Sequence, residues 1–296
     1  MSKANKSIAF LLITFAISWA IVIGSWVLKL HEDPNMLTPV LGASMFGPSI
    51  AAFICAMAFE KGRRAASLGL RFKPNVWWLA AYLAPILICV VSVVVSIVFG
   101  GSTFVELGAG VIAMVEQVAP EQSESLRPMA PYLGPIVLAQ ALILGALLNS
   151  VVLTFSEELG WRGYLHDLWR GAGFWRASLG TGFVWGVWHA PAIFFFGVNY
   201  PDNRGVGIGL FVAFCMLLAP ILTFIRDRAA SVWAAGIFHG TFNALGGLTL
   251  LTLSNPVFPW NGVVGIGGFV ALAAGVAIIA LLRPNTPVPG STPATA

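Results

Sequence analysis

Apolar runs about as long as a bilayer crossing recur from one end of this chain to the other, and they leave few folds open. Hydrophobic residues make up 58% of the sequence and charged residues only 9%, against about 25% charged in an average soluble domain. A bilayer core is crossed by roughly 20 apolar helical residues. Backbone groups in lipid must satisfy one another, which favours helices. The pattern predicts an all-α polytopic membrane protein with eight spans, near 8–28, 37–59, 77–99, 132–157, 177–196, 206–225, 232–252 and 262–282. The first run, Ile8 to Leu28, lacks a small-residue cleavage site and reads as a retained helix.

Charge sets the expected orientation. Lys61, Arg63, Arg64, Arg71 and Lys73 crowd the second connection, a cytoplasmic marker. Counting outwards from there places 13 of the 16 basic residues on the cytoplasmic side. Lys29, Arg127 and Arg204 fall outside, and both termini are cytoplasmic. The longest outer segment, about residues 100–131, carries Glu106, Glu116, Glu121 and Glu124 and a stretch suited to a short surface helix. Residues 1–283 read as one transmembrane domain. Residues 284–296, rich in proline with Gly, Ser, Thr and Ala, read as a disordered tail. Cys55, Cys89 and Cys215 each lie in an apolar run and suit packing rather than a disulfide framework. Nothing suggests a nucleic-acid partner; the lipid bilayer is the implied environment.

Against this background Glu157 and Glu158 stand out, because carboxylates inside apolar sequence are costly. They lie in Thr154-Phe-Ser-Glu-Glu-Leu-Gly-Trp-Arg-Gly-Tyr164. If the fourth helix runs on to Trp169, Glu158 and Arg162 are four residues apart and can pair. Glu157 then points about 100° away from Glu158, towards a cavity. Trp185-Gly-Val-Trp-His189-Ala-Pro191 places an aromatic ring one turn before a histidine, with a proline to disturb the helix just beyond. His239 and Asn243 share a third helix face at spacing four. Glu157 to Arg170, Arg176 to His189 and Arg226 to His239 are each 13 residues apart. At 1.5 Å per residue each polar group would sit about 20 Å from an inner basic residue, on one shared level. Gly160 and Gly163 would permit close helix approach beside it. His166, near the inner surface, and His31, in an outer connection, read as bland.

These residue types suit hydrolysis. A glutamate in an apolar setting can take a proton from water. A histidine can orient that water or protonate a leaving amine. A second histidine and an asparagine amide can bond a developing oxyanion. Zinc held by Glu157, His189 and His239, with water in the fourth position, is the alternative chemistry. Intramembrane Glu, His and Arg also suit a proton-coupled transporter, and a non-catalytic scaffold or immunity protein is a third reading.

Glu157-Glu158-x-x-x-Arg162, an aromatic-x-x-x-His189 and His239-x-x-x-Asn243 together resemble the membrane-embedded CAAX-processing and bacteriocin-processing proteases, the CPBP or Abi family. Glu-Glu-Leu-Gly-Trp-Arg-Gly-Tyr-Leu is typical of its bacterial members, and the eight-helix plan is similar to the prenyl-protein endopeptidase branch. The resemblance covers about residues 130–250. It implies an intramembrane endopeptidase of a bacterial inner membrane, acting on membrane-associated peptides or proteins, prenylated CAAX-type ones among them. Glu157 would activate water with help from His189, while His239 and Asn243 bind the oxyanion. Glu158 and Arg162 would brace the site, with Trp185 as the aromatic support. The family is described both as metalloproteases and as glutamate-dependent enzymes without catalytic zinc; the metal-free version is preferred here, with no cofactor. Trp185 departs from the family's usual phenylalanine.

Overall fold

The computed structural model describes residues 1–33, 35–260 and 262–282. The tail expected over 284–296 lies outside the described residues. Numbering the longer helices in chain order, α1 is Lys3–Val27, α2 Leu37–Met45, α3 Gly47–Phe59, α4 Val76–Gly100 and α5 Leu107–Val118. A helical run from Pro120 to Ala172 is α6. It is followed by α7 Phe174–Trp188, α8 Ala190–Phe196, α9 Arg204–Ala229, α10 Val232–Gly246 and α11 Ile266–Leu282. Among the described residues there is no β-sheet, only an isolated bridge between Phe104 and Leu253.

The protein is an all-α polytopic membrane protein. Among the described residues six helical stretches are long and apolar enough to cross a bilayer: α1, α2 with α3, α4, α6, α7 with α8, and α9. The regions expected as the last two spans hold shorter helices, the 15-residue α10 and the 17-residue α11. The segment 100–131, expected to hold a short helix, contains α5.

The helices are built inside out, as lipid requires. On α1 the buried face is Ser7, Phe10, Thr14, Ser18, Val22 and Ser25, while Ile8, Leu12, Ile23 and Val27 are exposed. On α4, Ser92 and Ser96 are buried and Leu79, Leu83, Leu87 and Val94 are exposed. Lipid tails are as apolar as leucine, so small and polar side chains drive helix packing instead. Ser18 Oγ donates to the Ser44 carbonyl at 2.7 Å, and Trp19 Nε1 to the Trp188 carbonyl at 3.0 Å.

The chain divides into two compact units. The first holds Met1–Trp78, Thr154–Ala235 and the described residues from Ala274; the second holds Leu79–Leu153 and Gly236–Ala273. In the first unit α7 packs on α9 through Gly182 and Gly186, spaced four apart. A methyl on Gly182 would lie 2.6 Å from the Cys215 carbonyl oxygen, and one on Gly186 2.6 Å from Val212 Cα. Gly160 brings α6 onto α3, and Gly163 brings it onto the Leu68 main chain. Methyl groups there would meet Pro48 Cβ at 2.6 Å and the Leu68 oxygen at 2.5 Å. Both glycines thus allow the close approach expected of them.

Gly160→Ala should therefore cost about 1–3 kcal/mol through overpacking against Pro48 backbone. Gly171→Ala, where a methyl meets nothing within 4 Å, is the matched control. Thermal unfolding in detergent compares them; equal midpoints would show that α3 yields without cost.

Candidate functional site

The segment carrying Glu157 and Glu158 is not an α-helix. Thr154–Leu165 is a twelve-residue π-helix between α-helical Ala146–Leu153 and His166–Trp169. Wide i→i+5 turns are rare, mostly single, and frequent at functional sites. Every residue from Ser156 to Leu165 is buried, including the acidic pair and Arg162.

This local structure corrects the sequence-based depth argument. The three equal 13-residue counts cross three different backbones. Arg176 to His189 follows one α-helix. Glu157 to Arg170 runs mostly through the π-helix, which has more residues per turn and so advances less per residue. Arg226 to His239 crosses the turn at Ala230, where φ is 51°, before α10 begins at Val232. Equal counts therefore do not make equal rises. Arg162, expected above on the cytoplasmic side, is buried, at 0% exposed.

In the first unit five of the expected residues come together. Arg162 Nη1 donates to Glu158 Oε1 at 3.0 Å, the expected i,i+4 pair. The guanidinium carbon lies 4.3 Å from the centroid of the Trp185 ring, a cation–π contact. Arg162 Nε and Nη2 have no hydrogen-bond partner among the described residues. Trp185 Nε1 donates to Glu157 Oε2 at 2.8 Å; these two residues are 2% and 3% exposed. The Cys215 thiol on α9, also buried, is within electrostatic range of Arg162 and Glu157.

His189 sits at the break between α7 and α8 (φ −77°, ψ −11°), with Pro191 in the first turn of α8. The helix breaks at the histidine itself, slightly earlier than expected. His189 Nδ1 is 2.8 Å from the Trp185 carbonyl oxygen. A carbonyl can only accept, so Nδ1 carries the proton and a neutral ring keeps its lone pair on Nε2. Trp188 and Phe211 rings, each with its centroid 4.6 Å away, hold the imidazole edge-on.

His239 and Asn243 lie in the second unit, on one face of α10, the first buried and the second exposed. Gly240 between them packs against the main chain of Asn149 and Ser150, leaving no room for a side chain. Asn149 Nδ2 in turn donates to the Gly145 carbonyl at 2.8 Å. Backbone contact of this kind fixes the rotation of α10 within its unit. The common level expected for all three motifs stays an expectation.

An ionic network at the far end of the π-helix was not anticipated. Lys6 meets Glu60 at 2.7 Å, and Arg63 bridges Glu60 at 3.1 Å and Asp167 at 2.6 Å. Burial disfavours the Arg63 charge, but Asp167 and Glu60 outweigh it and raise its pKa. His166, read as bland, is buried and 2.9 Å from Asp227. Arg226 Nε donates to the Arg162 carbonyl at 3.0 Å, tying α9 to the π-helix. The network joins residues up to 104 positions apart in pairs that no local pattern marks, though the alternation Arg226-Asp227-Arg228 at a helix end was a visible cue. His31 stacks on Trp26 at 4.0 Å, away from these residues in sequence and role.

The stretch holding all three motifs is recognisable by comparison. Residues 139–245 are similar to Rce1-like CAAX proteases. The family model that matches them is described as Type II CAAX prenyl endopeptidase Rce1-like. It includes Glu157–Arg162, Trp185–His189 and His239–Asn243, and covers about a third of the chain. A comparison with curated proteins gives no match.

Zinc chemistry has a specific structural requirement. A carboxylate and a neutral imidazole are suitable zinc ligands. Among the described residues, however, no three His, Cys, Asp or Glu side chains are grouped as a metal site. Zinc on Glu157, His189 and His239 stays an expectation of the sequence.

Proposed function

We propose that the chain is an intramembrane endopeptidase hydrolysing peptide bonds of membrane-associated proteins or peptides, with water activated by Glu157. The observation that carries this reading is the buried Glu157 carboxylate, oriented by the Trp185 indole, in a domain similar to the Rce1-like proteases. Glu157 takes a proton from water as that water attacks the scissile carbonyl. His189 Nε2 accepts a hydrogen bond from the water and orients it, and as the C–N bond breaks the proton held by Glu157 passes to the leaving amine. His239 and Asn243 stabilise the oxyanion, a role carried over from the motif order. The Glu158–Arg162 pair supports the π-helix without touching the substrate. Prenylated CAAX-type proteins are one substrate class of this reading. The topology that goes with it has eight crossings and both termini cytoplasmic, α10 and α11 supplying the last two, in a bacterial inner membrane.

The test is cleavage of a panel of membrane-anchored peptides, prenylated and unprenylated, by the purified protein in proteoliposomes, with zinc measured on the same samples. Cleavage without stoichiometric zinc is expected. Cleavage that tracks zinc would replace the metal-free mechanism. Proton-coupled solute flux without cleavage would make the protein a transporter, and partner binding with neither activity would make it a scaffold.

A further inference from the structure

We infer that Trp185 is the positioning residue that sets the geometry of the Glu157–His189 pair, through its indole N–H and its main-chain carbonyl. The inference rests on the endopeptidase reading for its kinetic consequence, though not for the contact itself.

Three attachments meet at this one residue. The indole N–H holds Glu157 Oε2 at 2.8 Å. The main-chain carbonyl holds His189 Nδ1 at 2.8 Å. The ring face carries the buried Arg162 guanidinium, itself paired to Glu158. Each attachment removes a different freedom. The indole bond stops rotation of the carboxylate about its last side-chain torsion. The carbonyl bond fixes the histidine tautomer and ring plane. The cation–π contact presses the indole plane in place, so the N–H cannot swing away from Glu157. Carboxylate and imidazole are thus referred to one rigid side chain and its own backbone, one helical turn apart on α7.

A phenylalanine ring would preserve much of the packing and the face offered to Arg162. It has no N–H, and the backbone carbonyl to His189 would be unaffected. The indole bond is consequently separable from the rest of the site by one substitution. A hydrogen bond to a charged acceptor is stronger than a neutral one. Its loss removes one contact that orients the general base, which lowers kcat and leaves peptide binding nearly untouched.

The experiment has two arms on the full-length protein in detergent or nanodiscs. In the first, the Trp185 Nε1–H resonance of protein labelled with ¹⁵N-tryptophan is identified by its loss in Trp185→Phe. It is expected downfield, and in Glu157→Gln it should move upfield because an amide oxygen is the weaker acceptor. A resonance that does not move overturns the inference, whether or not any peptide is cleaved. In the second, kcat and KM are measured for Trp185→Phe on a peptide that the wild type cleaves. The expected result is a fall in kcat of about ten- to hundredfold with KM changed less than about twofold. Unchanged kcat, or a loss carried by KM, overturns the positioning role. Should the wild type cleave nothing, the endopeptidase reading fails and the resonance arm alone decides whether Trp185 holds Glu157.

Discussion

Glu157→Gln is expected to lower kcat by about 100- to 10,000-fold, the usual contribution of a positioned general base. The amide is nearly the size of the carboxylate, and its oxygen can still accept from Trp185 Nε1. The buried position therefore keeps a polar partner, and the unfolding midpoint should stay close to wild type. That pairing of lost activity with retained fold separates a chemical role from a structural one. Cleavage at the wild-type rate by a folded Glu157→Gln protein would remove Glu157 from the mechanism and leave the buried carboxylate as an architectural feature.

Arg162→Leu should be the most damaging substitution for stability. Arg162 and Glu158 side chains are 1% and 0% exposed. Removing one member of a buried ion pair costs about 3–5 kcal/mol, because the other charge is stranded in a low-dielectric interior. In a chain of this size the unfolding midpoint should fall by on the order of 10 °C. Arg162→Lys should rescue little, since an ammonium cannot lie flat on Trp185 while reaching Glu158 as a planar fork does. Removing both charges with Glu158→Gln and Arg162→Met should be milder than Arg162→Leu alone. If the single and double variants unfold together, the pair contributes nothing as a pair, and the guanidinium matters only through its packing.

Stability and chemistry are linked through the π-helix. Widening the turns over Thr154–Leu165 places Glu157 against the Trp185 indole while Glu158 remains paired to Arg162. Gly160 and Gly163 let α3 and the Leu68 main chain approach this segment closely. Arg226 caps its far side through the Arg162 carbonyl. The segment is thereby held by contacts on several sides, which helps explain how so long a stretch of rare geometry persists.

Composition and the length of the apolar runs were enough to identify a polytopic helical membrane protein, because lipid leaves a backbone few ways to satisfy its hydrogen bonds. The scarcity of charge likewise made Glu157, Glu158, Arg162 and the histidines conspicuous, since each buried charge or imidazole demands compensation. Spacing four was enough for the Glu158–Arg162 pair, which forms inside the π-helix as it would in an α-helix. Hydropathy could not reveal the helix type over Thr154–Leu165, since backbone winding there depends on packing against other elements rather than on which residues are apolar. Nor could it assign the indole of Trp185 to Glu157, 28 residues away, or bring Arg63 to Asp167, 104 residues away. An aromatic at position 185 reads as a ring in sequence; only the tertiary structure shows which acceptor its N–H meets, because that depends on how the faces of α6 and α7 are rotated towards each other.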